Sequence, residues 1–376
     1  MTHSELTGLL QGRADDRLSD VVARLEGYLA HDADLSFQVA AYHDGHVVLD
    51  AWGGPHLSED SVTVPFSVTK NTVGLSIGLL VERGELDLDQ PVAHYWPEFA
   101  AKGKAAVTVR QLLSHQAGLP QATPALTAAE LLDHHAAAER LAASRPFWHP
   151  GSAFGYHALT IGNLGDELVF RVTGRTLHEF YEQEIRAPYD IDFFLGLPET
   201  QEHRLVTLLP MVRPVSDTTA PSFSALGPVV FASPGGDVDL GRNPESWRYG
   251  HPATSGTGSA RGLARLFAVT VTGVEGAAPL LGADTTQIIG QQQIRGYDEV
   301  LHQHGRAHAI VFQKPSQALP FGGPRAFGHD GAMGAFACVD PDTALTFAWT
   351  IARGPWPGGA DPRATALARD LGRLLA

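Results

Sequence analysis

The order in which strand and helix patterning alternates along the 376-residue chain limits the fold more than any single motif does. Apolar positions Leu18, Val21, Val22, Leu25 and Leu29 fall at helical spacing, so an amphipathic helix is expected first. Phe37 to Tyr42 then reads as a strand, Asp44-Gly45 as a turn, and His46 to Trp52 as the returning strand. A parallel α/β protein would instead place a helix between its first two strands. The middle of the chain is mostly helical in pattern: Thr69 to Arg83, Thr108 to Ser114, Ala128 to Ala143, Leu159 to Val172 and Leu177 to Ile185. Leu205 to Tyr249 is rich in Pro, Gly and Ser and reads as an irregular surface excursion. A helix over Ala260 to Val271 is expected next. Strands follow around His308 to Phe312, Gly334 to Val339 and Leu345 to Ile351, then a last helix from Pro362 to Leu375. Strands at both ends with helices between them predict one sheet assembled from both termini and a helical middle packed beside it, an α+β organisation. The expected division is 1–66 with 255–376 for the sheet and 67–254 for the helical lobe.

Composition removes several classes of function. Lys plus Arg number 27 against 41 for Asp plus Glu, a net charge of −14. Such an acidic chain is a poor partner for phosphate backbones or anionic lipid, so neither nucleic acid nor membrane is expected as a partner. The single cysteine, Cys338, cannot form an intrachain disulfide or a cysteine-based zinc cluster. No basic segment followed by a long apolar stretch opens the sequence, and the apolar run Thr72 to Val81 is too short to span a bilayer. The expectation is a cytoplasmic protein.

Pro65-Phe66-Ser67-Val68-Thr69-Lys70 carries the most chemical information. At a helix start, Ser67 and Lys70 stand one turn apart on the same face, so the amine reaches the hydroxyl. A serine hydroxyl needs such a partner to become a nucleophile, and a lysine must be desolvated to act as a base. Helix capping by Ser67 with Lys70 as a surface charge is the plain alternative. Random placement of 18 serines and four lysines in the sequence yields about 0.2 Ser-x-x-Lys pairs, so the motif needs support from elsewhere.

Two further segments supply it. His149-Pro150-Gly151-Ser152-Ala153-Phe154-Gly155-Tyr156-His157 sets a tyrosine before a long apolar helix, and Phe327-Gly328-His329-Asp330-Gly331-Ala332 brings glycines to a strand. With Glu82 to Val92 and Leu112 to Leu119 in the same order, the chain resembles the serine β-lactamase and penicillin-binding-protein superfamily. The likeness is to the class C β-lactamase-like branch, with its family VIII carboxylesterases, D-aminopeptidases and acyltransferases, and it runs from Phe37 to Ile351. The resemblance implies an antiparallel sheet flanked by helices beside an all-helical lobe, with the active site between them. It implies that Ser67 is acylated, that Lys70 and Tyr156 move its proton, and that His329 stands where many relatives carry a lysine. It further implies an oxyanion hole of the Ser67 and Ala332 amides, with Gly331 and His157 beside the substrate. Ala158 replaces the asparagine usual in class C β-lactamases, and His329 lacks a permanent charge, so efficient β-lactam hydrolysis is not expected. The expected substrate is a small-molecule ester, amide or acyl donor, with no cofactor and no metal. Transfer of the acyl group to an amine or alcohol is the alternative outcome, and an inactive binding module the remaining one.

Other signals carry less. Gly74-Leu75-Ser76-Ile77-Gly78 matches a nucleophile elbow, but its serine falls within an expected helix rather than between a strand and a helix. Asp133-His134-His135 and the pair His302 and His304 offer possible metal ligands without a recognised ligand spacing. His115 is expected to make a structural hydrogen bond in a loop.

Overall fold

The computed structural model describes residues 3–215, 217, 225–231 and 243–376. Its frame is one antiparallel sheet of seven strands drawn from both ends of the chain. In chain order the elements that place the site are β1 (His3–Thr7), β2 (Leu10–Asp15), α1 (Ser19–His31), β3 (Phe37–His43), β4 (His46–Gly53), α2 (Lys70–Glu82) and α3 (Thr160–Thr173). They continue with α4 (Ala260–Phe267), β5 (Ile294–Asp298), β6 (Gln303–His308), β7 (Phe327–Asp330), β8 (Phe336–Asp340), β9 (Leu345–Ile351) and α5 (Pro362–Leu375). The sheet order is β1-β2-β4-β3-β9-β8-β7. β3 and β9, from opposite ends of the chain, pair in the centre, with Phe37 opposite Ile351 and His43 opposite Leu345.

Strand alternation builds two cores. Phe37, Val39, Ala41, Phe347 and Trp349 face one side, where α1 and α5 cover them. Ala40, Tyr42, Ala337 and Ala348 face the other, where α4 and the helical lobe around α2 and α3 pack. Both faces are therefore dry, which is why these strands read as continuous apolar runs rather than as clean alternation. Among the described residues no helix is long and apolar enough to cross a membrane.

Several boundaries differ from expectation. β1 and β2 were not anticipated: His3-Ser4-Glu5-Leu6-Thr7 is an exposed edge strand that buries no face, so it has no apolar alternation to read. The strand expected at His308 to Phe312 ends at His308; Val311 has φ of 66°, and its amide donates to Leu113 O (2.6 Å). The helix expected over Ala128 to Ala143 is two, Ala128–Leu131 and Ala136–Ala143, because the Asp133 carboxylate accepts from the amides of His135 and Ala136 and starts the second. The helix expected over Leu177 to Ile185 is regular for Leu177–Tyr181 and continues in a wider turn through Arg186, as α4 does through Thr272. Of the excursion expected over 205–249, residues 216, 218–224 and 232–242 lie outside the described residues; the described part includes short helices Gly227–Phe231 and Pro244–Tyr249.

Ser76 sits mid-helix in α2, fully buried, and its hydroxyl has no hydrogen-bond partner among the described residues. No strand precedes it, so the elbow pattern is accidental. Removing an unpartnered buried hydroxyl relieves a desolvation cost. Ser76→Ala is expected to leave esterolytic activity intact and to hold or raise stability by up to about 1 kcal/mol in a denaturant titration. Loss of activity at unchanged stability would restore the elbow reading.

Candidate active site

The chain enters the site through a strained turn. Phe66 has φ of 51°, an uncommon conformation for a bulky residue, and it is followed by the tight turn Phe66–Thr69 that feeds α2. The Thr69 hydroxyl donates to Phe66 O (2.6 Å) and accepts from the Gly256 amide (3.1 Å), which ties the turn to the segment before α4. Ser67 thereby faces the cleft, and Lys70 follows on the same side of the next turn.

Two side chains converge on the Ser67 hydroxyl. Lys70 Nζ lies 3.0 Å from Ser67 Oγ, and the Tyr156 hydroxyl donates to the same oxygen at 2.8 Å. Lys70 is fully buried and also donates to Ala158 O (2.8 Å) and Ala253 O (2.9 Å). Burial holds its pKa well below the ordinary lysine value, against a smaller opposing pull from the Asp330 carboxylate. Nζ thus donates to three oxygens, and loss of one proton would leave two hydrogens for the carbonyls and a lone pair for the Ser67 hydroxyl. Burial likewise raises the Tyr156 pKa, with its hydrogen bond to Ser67 opposing the shift, so the phenol keeps its proton at neutral pH.

Tyr156 is held from behind. Its amide donates to Asp298 Oδ1 (3.1 Å), which also accepts from the amides of Val300 and Leu301 at 2.9 and 2.8 Å. Around the phenol stand His115, His308 and His329, with ring centroids 5.3, 6.3 and 5.9 Å away. Backbone bonds fix their tautomers where they are bonded. His115 Nδ1 accepts from the His157 amide (3.1 Å), and His329 Nδ1 donates to Asp330 O (2.7 Å). His157 donates from Nδ1 to Gly155 O (2.6 Å) and accepts at Nε2 from the Leu119 amide (2.9 Å). Burial pushes all of these rings down, His157 to about 4.

The turn after β7 closes the opposite wall. A Cβ on Gly331 would sit 2.1 Å from Pro65 O, so only glycine lets this turn approach the Ser67 segment. Ala332 is exposed on the wall, and the Ser67 amide is in the first turn of its helix, where no intrahelical acceptor is available. A cleft of about 1040 Å3 opens here, lined among others by Ser67, Tyr156, Ala158, Arg306, Asp330 and Ala332.

Ser67, Lys70 and Tyr156 are thus brought together, with Gly331 and Ala332 beside them. His157, expected beside the substrate, and His329, expected in the catalytic set, are fully buried: backbone groups engage both His157 nitrogens, whereas His329 is bonded at Nδ1 and its Nε2 has no partner among the described residues. Asp298 and Arg306 escaped the sequence reading because each stands in a polar stretch without a motif, and His308 because it read only as the start of a strand. His115 makes the loop hydrogen bond expected of it, at φ of 65°. His134 and His135 come within 4.8 Å of Glu167, but each ring meets a carboxylate directly, His134 to Asp166 at 2.6 Å and His135 to Glu167 at 3.1 Å. His302 and His304 pack on Tyr297.

A family model described as Beta-lactamase matches residues 22–371. The chain belongs to the beta-lactamase family. It is similar to Esterase/beta-lactamase LipL of Mycobacterium tuberculosis, 31% identical over 369 residues that cover 90% of this chain and 81% of that protein. Its fold is similar to that of EstA from Arthrobacter nitroguajacolicus Rue61a, with a TM-score of 0.90, 39% identity and coverage of 100% of this chain and 99% of that one. A family VIII carboxylesterase is also similar, with a TM-score of 0.88, 28% identity and coverage of 97% of this chain and 100% of that one. Within this beta-lactamase-family frame, Ala158 contributes its carbonyl to Lys70 and offers the cleft only a methyl group.

The buried histidines make stability acid-sensitive. His115, His157, His251, His308 and His329 all have folded pKa values below the free value of 6.5. The unfolded chain therefore binds more protons once pH falls below about 6.5, and stability is lost from there downward, past about 4 for His157 and toward about 3 for His251. Each ring contributes up to about 1.4 kcal/mol per pH unit in that window. Thermal melts at pH 7.5, 6 and 5 are expected to show a steep fall below pH 6.5; a constant melting temperature would contradict the neutral, buried state of these rings.

Proposed function

We propose that the protein is a serine esterase that cleaves small-molecule esters through an acyl-enzyme on Ser67. The observation that carries this reading is the pair of hydrogen bonds on one hydroxyl, 2.8 Å from Tyr156 and 3.0 Å to Lys70. Ser67 Oγ attacks the ester carbonyl carbon and gives its proton to the lone pair of Lys70 Nζ. The Ser67 and Ala332 amides hold the negative oxygen of the tetrahedral intermediate. The C–O bond to the leaving alcohol then breaks, Tyr156 protonates the departing oxygen, and the proton on Lys70 restores the phenol. Water attacks the acyl-enzyme along the reverse route, so ester and water give acid and alcohol and Ser67 recovers its proton. The names of the similar proteins, an esterase/beta-lactamase and a family VIII carboxylesterase, support an ester as substrate. Ala158 and the uncharged His329 argue against an efficient β-lactamase, since neither donates to an amide carbonyl in the cleft nor holds a lactam carboxylate.

Treatment with a fluorophosphonate followed by peptide mass spectrometry is expected to place one adduct on Ser67, and none in Ser67→Ala. Lys70→Met and Tyr156→Phe should each slow hydrolysis of a 4-nitrophenyl ester by about 100-fold or more. Because both groups act on one proton, the double variant should lose far less than the product of the two single losses. Fully multiplicative losses, or an adduct on another serine, would overturn the assignment.

A further inference from the structure

Arg306 is the one buried arginine without a hydrogen-bond or ion-pair partner among the described residues. It is 8% exposed, on β6, and it lines the same cleft as Ser67 and Tyr156. The other described arginines without a side-chain partner, Arg145 and Arg373, are exposed to water. Little of Arg306 reaches water and its guanidinium makes no hydrogen bond within the protein, so it is open to pair with an anion entering the cleft. Neither nearby acid makes an ion pair with it. Asp298 Oδ1 accepts from three amides, its buried Oδ2 has no hydrogen-bond partner, and this carboxylate acts on Arg306 only through space. Asp330 on the cleft wall accepts from Gln313 Nε2 (2.8 Å) and from the Ala360 amide (3.3 Å). Arg369, the other arginine lining the cleft, is paired with Asp370.

The strand fixes where that anion would lie. Arg306 and His308 are two residues apart on β6 and therefore project from the same face. His308 lies nearly parallel to the Tyr156 ring, 6.3 Å away, so the Arg306 Cα stands one repeat, about 7 Å along the strand, from that of the residue backing the phenol. Tyr156 is the group that protonates the leaving oxygen in the mechanism above. The overall charge of −14 repels anions at a distance, so an attractive group must be local and dehydrated to prevail.

We propose that Arg306 binds a carboxylate on the alcohol portion of the ester, making the cleft selective for esters whose leaving group is anionic. The inference rests on the esterase reading and adds its substrate class. The planar fork of five N–H donors pairs with both oxygens of a carboxylate, whereas a carboxamide of the same shape presents one acceptor and two hydrogens.

The test compares the butyryl esters of 4-hydroxybenzoate and 4-hydroxybenzamide, which differ only in that group. The wild type should favour the benzoate, and Arg306→Gln should lower the ratio of the two kcat/KM values by tenfold or more, mainly through KM of the benzoate. A ratio unchanged by the substitution overturns the proposal. So does an equal loss on both esters carried in kcat, which would assign Arg306 to the electrostatics of Tyr156. A wild type that hydrolyses neither ester overturns the esterase reading and this inference with it, whereas hydrolysis of both at equal efficiency overturns this inference alone. Should the variant fold poorly, the wild type suffices: 4-hydroxybenzoate should inhibit turnover of 4-nitrophenyl butyrate at least tenfold more strongly than 4-hydroxybenzamide, and equal inhibition would contradict the assignment.

Discussion

Lys70 is taken wholly out of water without a carboxylate in contact, and the site is arranged around that fact. A buried ammonium with no counter-ion is expensive, so burial pushes the amine toward its neutral form. Its remaining donors then need acceptors, and the carbonyls of Ala158 and Ala253 provide them. These two residues come from segments far apart in the chain, one just before α3 and the other before α4. One side chain therefore joins three parts of the helical lobe and directs its lone pair at Ser67. The phenol of Tyr156, whose proton burial retains, completes the arrangement by donating to the serine oxygen.

The same dryness governs what surrounds the phenol. Imidazoles at 115, 308 and 329 fill the space about Tyr156 in neutral form. A charged residue at 329 would set a cation beside Lys70; burial first, and any charge on Lys70 second, keep His329 neutral. Uncharged neighbours thus leave the amine and the phenol as the groups that exchange protons with Ser67. Arg306 on the cleft wall carries a positive charge without an ion-pair partner, where it can meet a substrate without taking part in proton transfer.

What the sequence disclosed of this was what depends on local geometry. Ser67 and Lys70 were legible because one helical turn brings any i and i+3 side chains together, and Gly331 because a tight approach excludes every side chain. The central strands were legible because both their faces are buried. β1 and the β5–β6 hairpin were not, since polar strands leave no apolar pattern even where, as at the end of β6, they are buried, and the strand expected at His308 to Phe312 mistook a buried turn for an extended run. Asp298, His308 and Arg306 gain their meaning only when β5 and β6 are laid beside Tyr156, a contact across some 150 residues that no local window contains. His157 and His329 stand in the expected neighbourhood and are fully buried, a burial that sequence adjacency to Tyr156 and Gly331 does not disclose.

The neutrality of Lys70 at working pH is the claim on which the chemistry stands, and it can be read directly. The chain has only four lysines, Lys70, Lys102, Lys104 and Lys314, so side-chain NMR of protein labelled with 15N- and 13C-lysine is simple to assign against a Lys70→Met variant. Lys104 and Lys314 are themselves lowered to about 8, which makes the assignment variant essential. The signal lost in Lys70→Met should titrate far below the free-lysine value of about 10.4 and report an amine at neutral pH. A Lys70 signal that remains an ammonium up to pH 10 would contradict the account.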